Sequence, residues 1–95
     1  MKQIVLLNPV DNVATSLAEL AAGAQFDIEF DGEAKSITTR DAIPFAHKVA
    51  IRSMAAGVDV VKYGEVIGRF SRAVEPGDWV HVHNVESARA RGDLQ

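Results

Sequence analysis

The chain has 95 residues, with 13 acidic and 10 basic side chains, three histidines and no cysteine. This length supports one small core and leaves no room for separate substrate-binding and catalytic domains. The net charge of −3, without a basic run, argues against nucleic-acid binding. The lack of cysteine excludes disulfides and thiolate metal sites and favours a cytoplasmic protein. The apolar run at residues 4–7 is too short for a signal peptide or membrane helix, so we expect no membrane association.

Short apolar segments separated by glycine predict a mainly β domain. Residues 3–7 form the first predicted strand. Residues 14–22 are rich in Ala, Leu and Glu and predict a helix of about two turns that ends at Gly23. Residues 24–30 alternate between apolar and polar side chains and predict a half-buried strand closed by the turn Asp31-Gly32. Further strands are predicted at residues 47–51, 58–62 and 79–85.

One local pattern occurs three times: an apolar residue, two residues, glycine, two residues and another apolar residue. The copies begin at Leu20, Met54 and Val74. We interpret each as a single turn that ends at a glycine with positive φ and leads into a strand. The spacing of the copies is unequal, which indicates a repeated device within one compact domain rather than a solenoid.

Two histidines are separated by a single valine in His81-Val82-His83. Residues i and i+2 of a strand project from the same face, so the pattern predicts that both imidazoles point the same way. Adjacent imidazoles suit a divalent metal, a substrate carboxylate or acid–base catalysis near neutral pH. An ordinary half-exposed strand would show the same pattern. Asn84 follows, and its amide suits either a substrate hydroxyl or a cap at the strand end.

The third histidine follows a proline in Ile43-Pro44-Phe45-Ala46-His47-Lys48. Because proline holds the preceding residue extended, we expect His47 and Lys48 to enter a strand on opposite faces from a rigid lead-in. A lysine beside a histidine suits a base, where burial lowers its pKa, or a cation for a carboxylate. The alternative is a solvated lysine beside a histidine at the edge of the core.

Three further residues are candidates for substrate binding. Lys62 and Tyr63 offer a cation and a hydroxyl, and the glycines at 64 and 68 predict a bulge or a close backbone approach. Their spacing does not match the dinucleotide fingerprint, and the chain has no nucleophile elbow, phosphate loop or helical zinc motif. Asp11 is expected to cap the helix that follows it or to contribute a carboxylate to a site.

Four segments, in order, form a pattern that runs from residue 8 to residue 85. They are Asn8-Pro9-Val10-Asp11-Asn12-Val13-Ala14, Ile43-Pro44-Phe45-Ala46-His47-Lys48-Val49-Ala50, Val61-Lys62-Tyr63-Gly64-Glu65-Val66-Ile67-Gly68-Arg69 and Trp79-Val80-His81-Val82-His83-Asn84-Val85. Together they resemble the N-terminal SAF domain of the altronate/galactarate dehydratase family. One departure is Ala46, where we expect glycine more often.

The resemblance implies a β-clip fold, in which residues 1–86 form a single compact domain with short helical turns. Residues 87–95 would be a polar tail or a connector to a large catalytic part. Members of the family dehydrate hexonic or hexaric acids to 2-keto-3-deoxy acids with a divalent metal, usually iron. Relatives split sulfolactate into pyruvate and sulfite. The SAF domain is either fused ahead of a large catalytic domain or made as a separate small subunit.

The resemblance therefore implies the small subunit or a detached N-terminal domain of a hydro-lyase that acts on a sugar acid with a large catalytic subunit. Dehydration across C2 and C3 needs a base, an electrophile and an acid. We expect the catalytic residues to be His47, Lys48, His81 and His83, on the face presented to the large subunit. The expected substrate-binding residues are Lys62, Tyr63, Asn84 and Asp11. A divalent metal would be held by the large subunit or shared with it, with His81 and His83 as the candidate ligands here.

Two alternatives remain at this stage. In the first, the domain is a non-catalytic module that binds a sugar acid or docks to an enzyme, with its histidines at the interface. Otherwise it would be the small subunit of a sulfolactate sulfo-lyase, because substrate choice depends mostly on the large subunit.

Overall fold

The computed structural model describes residues 3–87, which form nine short antiparallel β-strands and no helix. There is accordingly no membrane-spanning helix among these residues. The mainly β prediction is confirmed, whereas the predicted short helical turns are absent from this part of the chain. The strands are β1 (Ile4–Val5), β2 (Val13–Ser16), β3 (Gln25–Phe30), β4 (Glu33–Thr38), β5 (Lys48–Ala50), β6 (Asp59–Lys62), β7 (Glu65–Phe70), β8 (Trp79–Val80) and β9 (Val85–Ser87).

A central sheet with the strand order β1-β2-β5-β8 separates two hydrophobic cores. Successive side chains of a strand point to opposite faces of the sheet. Ala14 and Val49 accordingly belong to one core, which they share with the β3–β4 hairpin. Their chain neighbours Val13 and Ala50 belong to the second core, which they share with β6 and β7. The central strands are therefore buried on both sides.

The chain repeats one structural unit. It consists of a residue in an isolated β-bridge, a turn, a hairpin, the partner residue of that β-bridge, another turn and a strand. The first unit contains β3 and β4 and is closed by the bridge between Leu20 and Ile43. The second contains β6 and β7 and is closed by the bridge between Met54 and Val74. Both hairpins have two-residue turns with positive φ at both positions, as in type I′ turns: Asp31-Gly32 and Tyr63-Gly64.

The predicted device of turn, glycine and strand is confirmed in all three copies. Gly23, Gly57 and Gly77 have φ values of 85°, 93° and 95°. A fourth copy occupies the segment from Ile43, and there Ala46 adopts φ 69° without being glycine. A sequence search for glycine could not detect this copy, although its backbone follows the others.

The helix predicted at residues 14–22 is wrong. Residues up to Ser16 form β2, and Leu20 forms the bridge to Ile43. A helix of two turns is marginal in water. The extended conformation lets β2 pair with β1 on one side and β5 on the other, while Val13 and Ala14 are both buried. Tertiary pairing outweighs the local helix propensity.

The predicted bulge and close approach near Gly64 and Gly68 are both present. The β6–β7 register shifts so that Val60 pairs with Gly68 while Val61 pairs with Val66, leaving an extra residue in β7. A Cβ at Gly64 would lie 2.8 Å from the side-chain nitrogen of Asn8.

The predicted domain boundary at residue 86 falls inside β9, which continues to Ser87. The strand pairs with β7, so the last described residues still belong to the fold. The rest of the predicted polar tail lies outside the described residues.

Candidate functional site

The three histidines gather around the indole ring of Trp79. The ring centroid of Trp79 lies 5.1 Å from that of His81, with the two planes 9° apart, and 5.1 Å from that of His83. The ring of His47 lies 4.9 Å from that of His81. The indole nitrogen of Trp79 donates a hydrogen bond of 3.0 Å to Nδ1 of His47. Side chains from β8, from the turn that follows it and from the segment before β5 thus form one aromatic cluster.

The pairing of β5 with β8 explains why these rings meet. Val49 pairs with Trp79 and Lys48 pairs with Val80. One further step of the same antiparallel register brings His47 opposite His81. Because residues i and i+2 of an extended chain share a face, Trp79 and His81 also project together, and their rings stack.

His81 and His83 lie in a turn rather than on a strand, so the strand predicted at residues 79–85 is wrong over residues 81–84, and Val85 belongs to β9. The Asn84 side chain closes this turn. Its Oδ1 accepts from the backbone N–H of His81 at 2.9 Å, and its Nδ2 donates to the carbonyl of Trp79 at 2.8 Å. These bonds replace those that a continuing strand would make. Asn84 is buried and acts here as a cap, one of the two roles considered for it.

Buried Ser16 fixes the lead-in to His47. The Ser16 hydroxyl donates to the carbonyl of Pro44 at 2.7 Å and accepts from the backbone N–H of His47 at 3.2 Å. The backbone N–H of Ser16 donates to the carbonyl of His47. The rigidity expected from Pro44 therefore comes in large part from a serine on β2.

Lys48 and Lys62 form the cationic side of the site. Lys48 is half-buried. Burial lowers its pKa, and the positive charge of Lys62 lowers it further. Among residues 3–87 neither lysine forms a salt bridge with a carboxylate. Within the described residues the pair thus carries positive charge that no salt bridge neutralises, which suits an anionic ligand.

The surroundings of His81 favour its neutral form. Desolvation lowers the pKa of this half-buried ring, and the charges of His47, Lys48 and His83 lower it further. An imidazole that is neutral near pH 7 is able to accept a proton. The involvement of Lys48 shows that the lysines and the aromatic cluster belong to one electrostatic environment.

Asp11 and Tyr63 meet in the β6–β7 turn instead of joining the histidines. Asp11 is fully buried, and its two carboxylate oxygens accept the backbone N–H groups of Tyr63 at 3.0 Å and Gly64 at 2.8 Å. The Tyr63 side chain is exposed, with Lys62 Nζ 5.4 Å from its ring centroid. Since the predicted helix after Asp11 is absent, this carboxylate caps a hairpin turn instead.

The described residues do not fit a complete metal site. Within residues 3–87 no group of three or more His, Asp or Glu side chains is arranged to hold a metal ion. His47 is also unsuited, because a metal-bound neutral imidazole donates an N–H from its other nitrogen. Here Nδ1 of His47 accepts a hydrogen bond from Trp79. His81 and His83 remain as candidate ligands that would need others from outside this part of the chain.

The cluster is partly exposed and lies outside two large clefts of the described residues. Two clefts, of about 590 and 670 Å³, are lined by other residues, and no predicted site residue borders either. Beside the histidines, Phe45 and Val82 expose 65% and 79% of their surface. An enclosed active site would require another surface to cover this face.

Sequence reasoning missed Trp79, the ring that joins the three histidines. A usable signal was present, since Trp79 precedes His81 by two positions. The backbone N–H of Trp79 also donates to Asp41 at 3.2 Å, a contact with no sequence signal because 38 residues separate the pair.

Comparison with known proteins identifies this β domain as an SAF domain. The altronate/galactarate dehydratase SAF domain matches residues 2–88, nearly the whole chain. The chain belongs to this family, as the four sequence segments predicted.

Relatives fall into two groups of enzymes. The chain is 33% identical over 85 residues to altronate dehydratase of Escherichia coli K12, a match that covers 90% of this chain and 16% of that protein. It is 48% identical over 50 residues to (2R)-sulfolactate sulfo-lyase subunit alpha of Chromohalobacter salexigens, which covers 53% of each chain. The corresponding subunit of Paracoccus pantotrophus is 42% identical over 53 residues, covering 56% of this chain and 79% of that subunit. The name "subunit alpha" implies a partner subunit in those relatives.

Proposed function

We propose that this protein is the small subunit or N-terminal domain of a hexonate dehydratase of the altronate type, and that its histidine cluster completes the active site of a large catalytic subunit. The observation that carries the proposal is the convergence of His47, His81 and His83 on Trp79 beside two lysines. The family supplies the reaction class, and the cluster supplies side chains suited to it.

The chemistry uses residues of this kind in defined roles. Elimination of water from a sugar acid begins with removal of the proton at C2, beside the carboxylate, and ends with loss of the hydroxyl at C3. Lys48 and Lys62 would hold the carboxylate, and the imidazoles would handle protons and hydrogen bonds. We assign a divalent metal, iron in this proposal, to the large subunit or to a site shared with it.

A partner surface is part of the proposal. The cluster lies outside two large clefts of the described residues, and exposed apolar side chains flank it. Elimination through a carbanion-like intermediate benefits from exclusion of water. A covering large subunit would exclude water and bury Phe45 and Val82.

The second candidate is the small subunit of a sulfolactate sulfo-lyase. The 48% identity to a sulfo-lyase subunit alpha over 50 residues favours it. In that case the leaving group is sulfite, while the carboxylate and the adjacent proton remain the same. The same lysines and histidines would serve either substrate.

The test is co-expression with a large catalytic subunit of the same family, taken from the neighbouring reading frame if that frame encodes one, followed by assays on altronate, galactarate and sulfolactate with and without added iron. Formation of a 2-keto-3-deoxy acid supports the first proposal, and release of pyruvate and sulfite supports the second. A pair that co-purifies but turns over none of the three acids would contradict both and favour a docking module.

Single substitutions in the reconstituted pair test the cluster itself. We expect His47→Ala and His81→Ala each to lower kcat about 100-fold or more, as is typical for loss of a positioned acid–base or hydrogen-bonding group. Lys35→Ala, on the β3–β4 hairpin, is the control and should leave kcat unchanged. Unchanged kcat in both histidine variants would remove the catalytic assignment.

A further inference from the structure

The hydrogen bond between Trp79 and His47 determines which nitrogen of His47 carries a hydrogen. The indole nitrogen of Trp79 lies 3.0 Å from Nδ1 of His47. An indole N–H is a donor only, so Nδ1 must be the acceptor and must lack a hydrogen. In the neutral ring the hydrogen therefore resides on Nε2.

This tautomer limits what His47 is able to do. Within residues 3–87 no group hydrogen-bonds to Nε2, so its N–H is available to a ligand. The Nδ1 lone pair is occupied by Trp79, and Nε2 already carries its hydrogen, so the neutral ring has no site to accept a substrate proton. A neutral imidazole in this state donates a hydrogen bond to an oxygen that gains negative charge, and it keeps its proton.

We propose that Trp79 is a positioning residue that holds His47 as the Nε2–H tautomer, so that His47 donates a hydrogen bond to an oxygen of the anionic substrate and is neither the base nor a metal ligand. The role of the donated bond rests on the proposed function. The tautomer rests on geometry within this chain alone. The proton acceptor must then be another group of the assembled site.

Nitrogen-15 NMR of the 95-residue chain tests the tautomer directly. Long-range ¹H–¹⁵N correlation spectra at a pH where the imidazole is neutral distinguish a protonated from an unprotonated ring nitrogen. We expect Nε2 of His47 to be protonated and Nδ1 unprotonated in the wild type. Trp79→Phe keeps an aromatic ring against His81 but lacks the N–H, and we expect a mixture of tautomers at His47 in this variant.

Two results would overturn the assignment. A wild-type spectrum with the hydrogen on Nδ1 would do so without any variant, which covers the case in which Trp79→Phe fails to fold. A Trp79→Phe spectrum with His47 unchanged would also do so. His83→Asn serves as the control: it removes another ring from the cluster and should leave the tautomer of His47 as it is in the wild type.

Activity of the reconstituted pair separates this inference from the proposed function. The side-chain amide of Gln places an N–H close to the position of the histidine Nε2, so His47→Gln should retain kcat within about tenfold where His47→Ala loses about 100-fold. Equal losses in the two variants would overturn the donor role. An Nε2–H tautomer together with unchanged kcat in His47→Ala would refute the proposed function of the cluster. It would still support the inference that Trp79 fixes the tautomer of His47.

Discussion

At the scale of single residues, the positive groups around His81 act against its protonation. Its ring is partly desolvated and lies near His47, His83 and Lys48, and each of these effects lowers its pKa. The ordinary pKa of histidine is about 6.5. His81 is consequently neutral over a wider range of pH than an isolated histidine.

Removing the charge of Lys48 should therefore raise the pKa of His81. We expect Lys48→Met to do this, because it keeps most of the stem while it removes the ammonium group. The measurement is an NMR titration of the His81 Cε1 proton. Lys35→Met, on the β3–β4 hairpin, is the matched control and should leave the titration unchanged. An unaltered pKa of His81 in Lys48→Met would contradict the electrostatic coupling.

The same shift has a consequence for stability. Because the pKa of His81 is lower in the folded state, the unfolded chain binds more protons between that value and the ordinary one. The contribution of His81 to stability is therefore lost as the pH falls from about 6.5 through its folded pKa.

Ala46 is a second residue whose effect on stability is measurable, because its backbone conformation is strained. It adopts φ 69° at the position where the three other copies of the turn have glycine. Alanine in the left-handed region costs about 1–2 kcal/mol. Glycine removes this strain, but part of the stabilisation is lost because glycine gives the unfolded chain more conformational entropy. We expect Ala46→Gly to stabilise the protein by about 0.5–1 kcal/mol in urea unfolding.

The control for this prediction is Ala56→Gly, which changes the same residue type in another copy of the turn. Ala56 is not among the residues with positive φ. The substitution should therefore destabilise the protein or leave its stability unchanged. Similar destabilisation in the two variants would show that φ at Ala46 carries no strain.

At the scale of elements, the turn before β8 is the tightest of the four. Gly77 accepts a backbone hydrogen bond from Arg40, and a Cβ at Gly77 would collide with the backbone carbonyl of Thr38. At Gly57, which has nearly the same φ, a Cβ would meet nothing within 4 Å. The two glycines thus share a backbone conformation and differ in the space around them.

We expect Gly77→Ala to lower the free energy of unfolding by about 2–5 kcal/mol, the sum of left-handed strain and overpacking. Gly57→Ala carries only the strain, about 1–2 kcal/mol. Urea unfolding of the two variants measures the difference. Equal losses would mean that the turn moves away from Thr38 at little cost.

The strands show which sequence signals were sufficient. The alternation in residues 24–30 predicted β3, and its three apolar residues are buried as expected. The signal Asp31-Gly32 predicted the turn that follows. These features depend on contacts between near neighbours in sequence, which the local pattern contains.

Two other elements were missed for different reasons. Residues 14–22 have a helical composition, but β2 pairs with β5, more than 30 residues further on. His81 and His83 have strand spacing, but the side chain of Asn84 turns the chain. In the first case the deciding partner lies far along the chain, and in the second it is a neighbouring side chain for which the sequence left two roles open.

At the scale of the whole molecule, the proposed function makes the face that carries the histidine cluster, Phe45 and Val82 the interface with a large subunit. Removing such a side chain from an interface costs about 1.5–3 kcal/mol. We expect the double variant Phe45→Ser/Val82→Ser to weaken association with the large subunit about tenfold or more. Affinity co-purification and titration calorimetry measure this.

The control is Val66→Ser, which replaces a side chain that exposes 53% of its surface on β7. It should leave the affinity unchanged, and circular dichroism should show that all variants fold. Full affinity in the double variant would place the interface elsewhere.

The sequence predicted the residue types of the site better than their arrangement. The family segments identified all three histidines and both lysines. They did not reveal Trp79 as the centre of the cluster, or that Asp11 and Asn84 hold turns. Such roles follow from the antiparallel register of β5 and β8 and from side-chain hydrogen bonds across the chain.

The central sheet also determines the order in which the site is able to form. Each hairpin joins neighbouring segments, whereas β5 and β8 are separated by the entire second hairpin. Local pairs close at a lower entropic cost than distant ones, so they form earlier in folding. A chain in which only the hairpins have formed contains all three histidines but has no cluster, because Trp79 reaches His47 only after β8 has paired with β5. The site therefore depends on a long-range pairing of the central sheet, and we expect the cluster to form later than either hairpin.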